Sequence, residues 1–112
     1  GADARGEGRG EGFNHNWPLP QGTDDAGYLR VLDEALEAIR EFRPRHLVVS
    51  AGFDTIAGDP VGGFNLTADG LNAIGRRIAA LKVPTVIVQE GGYLLERLGE
   101  NAVALLGAFE GQ

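Results

Sequence analysis

The chain has 112 residues and a net charge of −6 at pH 7, so it is one small domain or part of a larger one. Its acidic balance argues against a nucleic-acid or anionic-membrane partner, and its lack of cysteine removes disulfides, thiolate metal sites and cysteine nucleophiles. Glycine fills 18 positions without a three-residue period, which excludes collagen and assigns the glycines to loops. We expect a cytoplasmic protein, because the apolar runs are too short to span a membrane and the opening residues do not resemble a secretory leader.

The first 22 residues interleave glycine with charged residues and have neither helical nor strand periodicity, which predicts a loop. Large and polar side chains then alternate from Phe13 to Leu19, which predicts a short strand that Pro18 and Pro20 end.

From Thr23 the apolar residues recur at helical spacing, which predicts an amphipathic helix ending before Pro44. Thr23 or Asp24 can cap its first turn. The expected buried stripe is Tyr28, Leu32, Ala35, Leu36, Ile39 and Phe42.

Two short apolar runs, Leu47–Val49 and Thr85–Val88, predict strands that are buried on both faces. A helix from about Ala68 to Leu81 separates them, with Thr67 as its cap and Leu71, Ile74, Ile78 and Leu81 as its buried stripe. A third helix follows Tyr93 and is expected to bury Leu95, Leu98, Ala102, Leu105, Leu106 and Phe109. This order predicts an α/β fold with a parallel sheet, which looks incomplete because buried parallel strands need neighbours on both sides.

Ligands bind outside the carboxyl ends of parallel strands, and two segments reach that edge. Asp54 follows the first strand, and Tyr93 follows the second after two glycines. Spacing alone leaves Asp54 as a metal ligand, a base or a turn cap, and Tyr93 as an oxyanion donor or a residue packed at a helix start. Asp59-Pro60 is typical of a turn.

Neither histidine is a convincing metal ligand. His46 precedes the first strand and is carried to the edge opposite Asp54, and His15 lies in the predicted early strand. No Ser-His-Asp or phosphate-loop pattern occurs.

Four segments together resemble the C-terminal part of the histone deacetylase and acetylpolyamine amidohydrolase superfamily, in its class II or bacterial branches. They are Gly10–Asn14 continuing through Pro18-Leu19-Pro20, Ser50–Asp54, Gly58-Asp59-Pro60 through Phe64–Thr67, and Glu90-Gly91-Gly92-Tyr93-Leu94. The resemblance implies a three-layer, arginase/deacetylase-like fold with a central parallel sheet, of which residues 1–112 are a C-terminal segment. It divides into a loop with a short strand (1–22) and an α-β-α-β-α unit (23–112).

The resemblance also implies a zinc-dependent hydrolase that removes acetyl groups from acetyl-lysine or acetylpolyamines. Asp54 matches one of the family's zinc ligands, and Tyr93 matches the tyrosine that hydrogen-bonds the oxyanion. Gly91 and Gly92 resemble the glycines lining the acyl channel. Val61, just after Pro60, stands where polyamine-selective members can carry an acidic residue.

The family's other zinc ligands and its paired histidines lie upstream, and residues 1–22 do not match them. We therefore expect the 112-residue chain to be inactive alone. Its acidic charge weakly favours a cationic substrate. Two alternatives stay open: a truncated or catalytically dead partner-binding module with the same fold, and a small doubly wound ligand-binding domain.

Overall fold

The computed structural model describes residues 1–110, and these contain three helices and two strands in alternating order. The elements are α1 (Asp25–Phe42), β1 (Leu47–Ala51), α2 (Ala68–Ala79), β2 (Thr85–Gln89) and α3 (Leu95–Gly107). Short 3₁₀ turns occur at Gly8–Gly10 and Phe53–Thr55. The α-β-α-β-α order therefore matches the prediction for residues 23–112, of which 111 and 112 lie outside the described residues.

The opening segment has no strand over Phe13–Leu19, so that prediction is wrong. Local turns hold this segment instead, since the Gly12 amide donates to the Arg5 carbonyl at 2.7 Å. A strand needs a partner to take up its backbone donors and acceptors, and neither β1 nor β2 pairs with this segment.

The first helix begins and ends where the sequence predicts. The Asp24 carboxylate accepts from the Gly27 amide at 2.9 Å, and the helix ends at Arg43 in a left-handed conformation (φ 56°). Leu36 is buried, as expected, but Phe42 is 65% exposed. Phe42 lies in the last turn and packs edge-on against Phe13, with ring centroids 6.2 Å apart, rather than in the core.

The two strands pair in parallel with Leu47 opposite Thr85 and Ala51 opposite Gln89. Side chains from all three helices pack with the inward residues Leu47, Val49, Ala51 and Ile87 into one core. The opposite face is open: Val48, Val86 and Val88 are exposed. The prediction of burial on both faces is therefore wrong for these residues, because the helices of this chain cover only one face.

The second helix ties the other two helices together. Thr67 caps it by accepting from the Gly70 amide, as predicted. Arg77 donates to both carboxylate oxygens of Asp33 in α1, and Asn72 donates to the Ala104 carbonyl in α3. Its buried residues Leu71, Ile74 and Ile78 match the predicted stripe, and Leu81, just beyond the helix, packs against the core.

The third helix presents a narrower apolar face than predicted. Leu105 is buried, and Leu98, Ala102 and Phe109 pack against the core. Leu95 and Leu106 were expected in this stripe but are exposed. Leu94, immediately before the helix, packs against the core in place of Leu95.

Among the described residues, no helix combines the length and the apolar character needed to cross a membrane.

Candidate active site

The segments that follow β1 and β2 leave the same edge of the sheet and are hydrogen-bonded to each other. The Glu90 amide donates to the Ala51 carbonyl at 2.9 Å, and the Phe53 amide donates to the Gly91 carbonyl at 2.8 Å. These bonds extend the parallel pairing beyond the strands. The loops that carry Asp54 and Tyr93 therefore meet at the carboxyl edge, where the sequence predicts them.

Asp54 sits in the 3₁₀ turn after β1, with glycine backbone packed closely against it. A β-carbon on Gly91 would lie 2.7 Å from Asp54 Oδ2, and one on Gly62 would lie 1.5 Å from the Asp54 backbone oxygen. Only glycine fits at position 62, because the neighbouring atom there is backbone, whereas a side chain at position 91 would have to push the Asp54 carboxylate aside.

The Asp54 carboxylate accepts no hydrogen bond from any side chain or backbone amide within residues 1–110. A carboxylate that caps a turn would accept from a nearby amide, so the turn-cap alternative for Asp54 does not hold. The carboxylate is half-buried and keeps its oxygens for an external group, which fits a metal ligand or a base.

Tyr93 differs from the other tyrosine of the chain. Tyr28 is partly buried and packs edge-on against Phe64, and burial raises the pKa of the Tyr28 hydroxyl. Tyr93 is 50% exposed, and its hydroxyl has no hydrogen-bond partner within residues 1–110. Within residues 1–110 the Tyr93 side chain is therefore only partly packed, and a role as an oxyanion donor stays a prediction.

The four residues predicted to line a substrate channel lie in the same two loops. Gly91 and Gly92 are half-buried between β2 and α3, and Gly92 has a φ of 149°. A β-carbon on Gly92 would lie 2.8 Å from the Leu98 side chain, which explains the need for glycine there. Pro60 and Val61 are exposed on the loop after β1. Their role in a channel stays a prediction.

Asp59 is the residue whose importance the sequence did not reveal. Its carboxylate is buried and accepts four backbone hydrogen bonds: Oδ1 accepts from Val61 (2.8 Å) and Gly62 (3.0 Å), and Oδ2 accepts from Tyr93 (2.9 Å) and Leu94 (3.2 Å). The turn prediction accounts for the first pair. It misses the second pair, which joins the β1 loop to the β2 loop.

Burial alone would raise the pKa of Asp59, but the four amides outweigh it and hold that pKa below its ordinary value. Asp59 is therefore an ionised carboxylate engaged in holding backbone. Asp54, five positions earlier in the chain, has no such amides, so the two aspartates of this loop have different environments.

Both histidines lie near the end of α1 and the start of β1, and for His46 the sequence predicts this position opposite Asp54. His46 is exposed just before β1, and the His15 ring stacks on Trp17 with centroids 3.7 Å apart. Both line a cavity of about 700 Å³ between the opening segment and the end of α1. Within residues 1–110, no group of three or more His, Cys, Asp or Glu side chains is arranged to hold a metal ion. The role of Asp54 as a metal ligand stays a prediction.

The structure is that of an α/β protein with a parallel sheet, and its candidate site lies at the carboxyl edge of that sheet. Comparison with known families gives a more specific assignment, since the histone deacetylase domain matches residues 1–109. The chain belongs to the histone deacetylase family, and its relatives assign it to the bacterial branch of that superfamily.

Two bacterial relatives are acetylpolyamine amidohydrolases. The protein of that name from Burkholderia pseudomallei is 46% identical over 107 residues, which are 96% of this chain and 31% of the relative. Acetylpolyamine amidohydrolase 1 of Pseudomonas aeruginosa is 44% identical over 110 residues, which are 98% of this chain and 32% of that protein. Histone deacetylase 18 of Arabidopsis thaliana is 41% identical over 102 residues, and the match covers 88% of this chain and 15% of that protein. The chain spans about a third of the bacterial relatives' length.

Solved structures confirm the deacetylase fold. A crystal structure of an acetylpolyamine aminohydrolase from Burkholderia pseudomallei superposes with a TM-score of 0.93 at 44% identity, covering 98% of this chain and 32% of that protein. The HD domain of HDA15 superposes with a TM-score of 0.92 at 30% identity, covering 100% of this chain and 33% of that protein. The two strands and three helices are therefore arranged as in part of a complete deacetylase domain.

Proposed function

We propose that this chain supplies one side of the active site of a zinc-dependent amidohydrolase that removes acetyl groups from acetylpolyamines or from acetyl-lysine. The observation that carries the proposal is that the loops bearing Asp54 and Tyr93 are hydrogen-bonded to each other at one edge of the sheet, while the Asp54 carboxylate and the Tyr93 hydroxyl have no hydrogen-bond partner within residues 1–110. The names of the bacterial and plant relatives support the reaction class.

In this proposal Asp54 is one ligand of the zinc ion. Carboxylate oxygen is an established zinc ligand, and a catalytic zinc has three protein ligands and one open position. Bound zinc would polarise the acetyl carbonyl and activate a water molecule. The remaining ligands and the histidine that accepts the proton from water would come from protein outside residues 1–112.

Tyr93 would donate a hydrogen bond from its hydroxyl to the carbonyl oxygen of the acetyl group as that oxygen gains negative charge. The adjacent glycines have no side chain, so an extended acyl-amine chain can lie against their backbone. Pro60 and Val61, on the facing loop, would contribute the apolar opposite wall of the channel.

For the substrate, we propose an acetylated cationic small molecule or an acetyl-lysine side chain. The net charge of −6 favours cations through the overall electrostatic field. The uncharged Val61 provides no local carboxylate for a second amine. Comparing an acetylated diamine with an acetyl-lysine peptide would determine which of the two is preferred.

The test uses the longer protein that carries this chain, assayed as wild type, Tyr93→Phe and Tyr28→Phe. Tyr93→Phe is expected to lower kcat by about 10²- to 10³-fold, the usual cost of losing an oxyanion donor, with zinc content unchanged. Tyr28→Phe is the matched control, because the partly buried Tyr28 side chain packs against the core, and it should retain near wild-type kcat. A wild-type protein that binds zinc and hydrolyses neither substrate would favour the partner-binding module instead.

A further inference from the structure

One carboxylate, that of Asp59, accepts hydrogen bonds from both loops of the candidate site. Asp59 is 9% exposed, and its two oxygens bind opposite sides of the site. Oδ1 accepts from Val61 and Gly62 in its own loop, and Oδ2 accepts from Tyr93 and Leu94 in the other loop.

Each side of this connection leads directly to a proposed functional group. The Gly62 backbone packs against the backbone oxygen of Asp54, so the Oδ1 bonds fix the loop that lies against Asp54. The Oδ2 bonds hold the amide of Tyr93 itself, at 2.9 Å, and that of Leu94 at the start of α3. The position of the Tyr93 backbone relative to Asp54 therefore depends on Asp59.

The other hydrogen bonds between the loops do not replace this connection. The Phe53 amide holds the Gly91 carbonyl, two residues before Tyr93, and Gly92 between them has a φ of 149°. Glycine at this position gives the chain freedom to turn, so a bond at Gly91 does not determine the direction of Tyr93. The Tyr93 side chain is 50% exposed, and packing alone does not fix it either.

We propose that Asp59 is a positioning residue that sets where the Tyr93 hydroxyl stands relative to Asp54, and this inference rests on the proposed function of Tyr93. Asp59 does not touch the substrate or the metal. It acts through the Tyr93 backbone, and a carboxylate is required because four amides converge on it and it offers only acceptors.

The test is a double-mutant cycle of Asp59→Asn and Tyr93→Phe in the longer protein. Asparagine keeps the size of the side chain but replaces one acceptor oxygen with an amide that cannot accept, so one pair of backbone amides loses its partner. Asp59→Asn alone is expected to lower kcat by about 10- to 100-fold, because small displacements of a positioned group have costs of this size. KM should change by less than about threefold, because ground-state binding does not require the oxyanion bond.

In the Tyr93→Phe background, Asp59→Asn should lower kcat by less than about threefold, because the hydroxyl that Asp59 positions is already absent. A merely structural role would lower kcat by the same factor in both backgrounds. Asp69→Asn, on the exposed first turn of α2, is the matched control and should behave as wild type in both.

A second readout does not depend on activity. Hydrogen exchange of the segment 91–95, followed by mass spectrometry, should quicken in Asp59→Asn and remain unchanged in Asp69→Asn. If Asp59→Asn does not fold, Asp59→Ser, which keeps one acceptor oxygen, is taken through the same measurements.

The outcomes separate the two proposals. Wild-type kcat in Asp59→Asn, or equal losses in both backgrounds, would overturn the positioning role while leaving the proposed function intact. Unchanged exchange of residues 91–95 would overturn the anchoring itself. An unchanged kcat in Tyr93→Phe would instead count against the proposed function.

Discussion

The Asp54 carboxylate and the Gly91 α-carbon are packed against each other across the ends of β1 and β2, so closely that a single added methyl group would lie 2.7 Å from Asp54 Oδ2. The two residues come from different loops, and the Phe53 amide bonded to the Gly91 carbonyl keeps those loops together. The β2 loop therefore sets the limits within which the proposed metal ligand can lie.

Gly91→Ala should displace the Asp54 carboxylate. In the longer protein we expect zinc affinity to fall by about 10- to 100-fold, the range seen when groups that orient a metal ligand are changed. Gly99→Ala is the control, because no atom outside its own helix lies within 4 Å of a β-carbon there. Zinc titration of both variants is the measurement, and equal affinities would contradict the close packing at Asp54.

Stability at acid pH should depend on Asp59. Its pKa in the folded protein lies below the ordinary value of 3.8, so the unfolded chain takes up a proton first as the pH falls. The stabilisation from ionised Asp59 is therefore complete above that ordinary value and is lost as the pH falls through the lower, folded pKa. Urea unfolding from about pH 5 downward should show a shallower loss of stability in Asp59→Asn than in wild type. If the free energy of unfolding falls equally steeply with pH in Asp59→Asn and in wild type, this assignment is wrong.

Substitution by leucine should change stability in opposite directions at two asparagines, the buried Asn101 and the half-buried Asn72. Asn101 is 2% exposed, and its Oδ1 has no partner within residues 1–110, beside a cavity of about 160 Å³. Asn101→Leu should raise the free energy of unfolding by about 1 kcal/mol, because it removes an unsatisfied buried acceptor. Asn72 is bonded to both Ala104 and Arg76, so Asn72→Leu should lower it by about 1 kcal/mol. Thermal unfolding of the two variants tests this contrast, and a loss of stability in Asn101→Leu would refute it.

The 112-residue chain by itself should not hydrolyse acetylated substrates, even with zinc added. In the proposed function Asp54 would supply one ligand of a three-ligand site, and the exposed residues Val48, Val86 and Val88 leave one face of the sheet open. Incubation of the isolated chain with zinc and an acetylated diamine is the measurement. Turnover that disappears in Tyr93→Phe would show that this chain is sufficient.

Local chemistry made much of this fold predictable. Caps such as Asp24 and Thr67 act on amides three residues away, so the residues that define each helix start are neighbours in the sequence. The parallel pairing follows from strand and helix order, and it brings Asp54 and Tyr93 to one edge.

The remaining features depend on groups that are distant along the chain. Asp59 and Tyr93 are linked across 34 positions, and no local spacing reveals that bond. The predicted strand near Phe13 fails because a strand requires a partner that periodicity cannot supply. Val48 is exposed because the helices cover one face only, whereas its apolar character fits burial on both.

The most direct test of the account is the zinc content of the longer protein carrying Asp54→Ala, measured beside Asp69→Ala, together with hydrolysis of an acetylated substrate by both. We expect Asp54→Ala to lose bound zinc and turnover, because the metal would lose one of three protein ligands, and Asp69→Ala to retain both. Full zinc content and turnover in Asp54→Ala would contradict it.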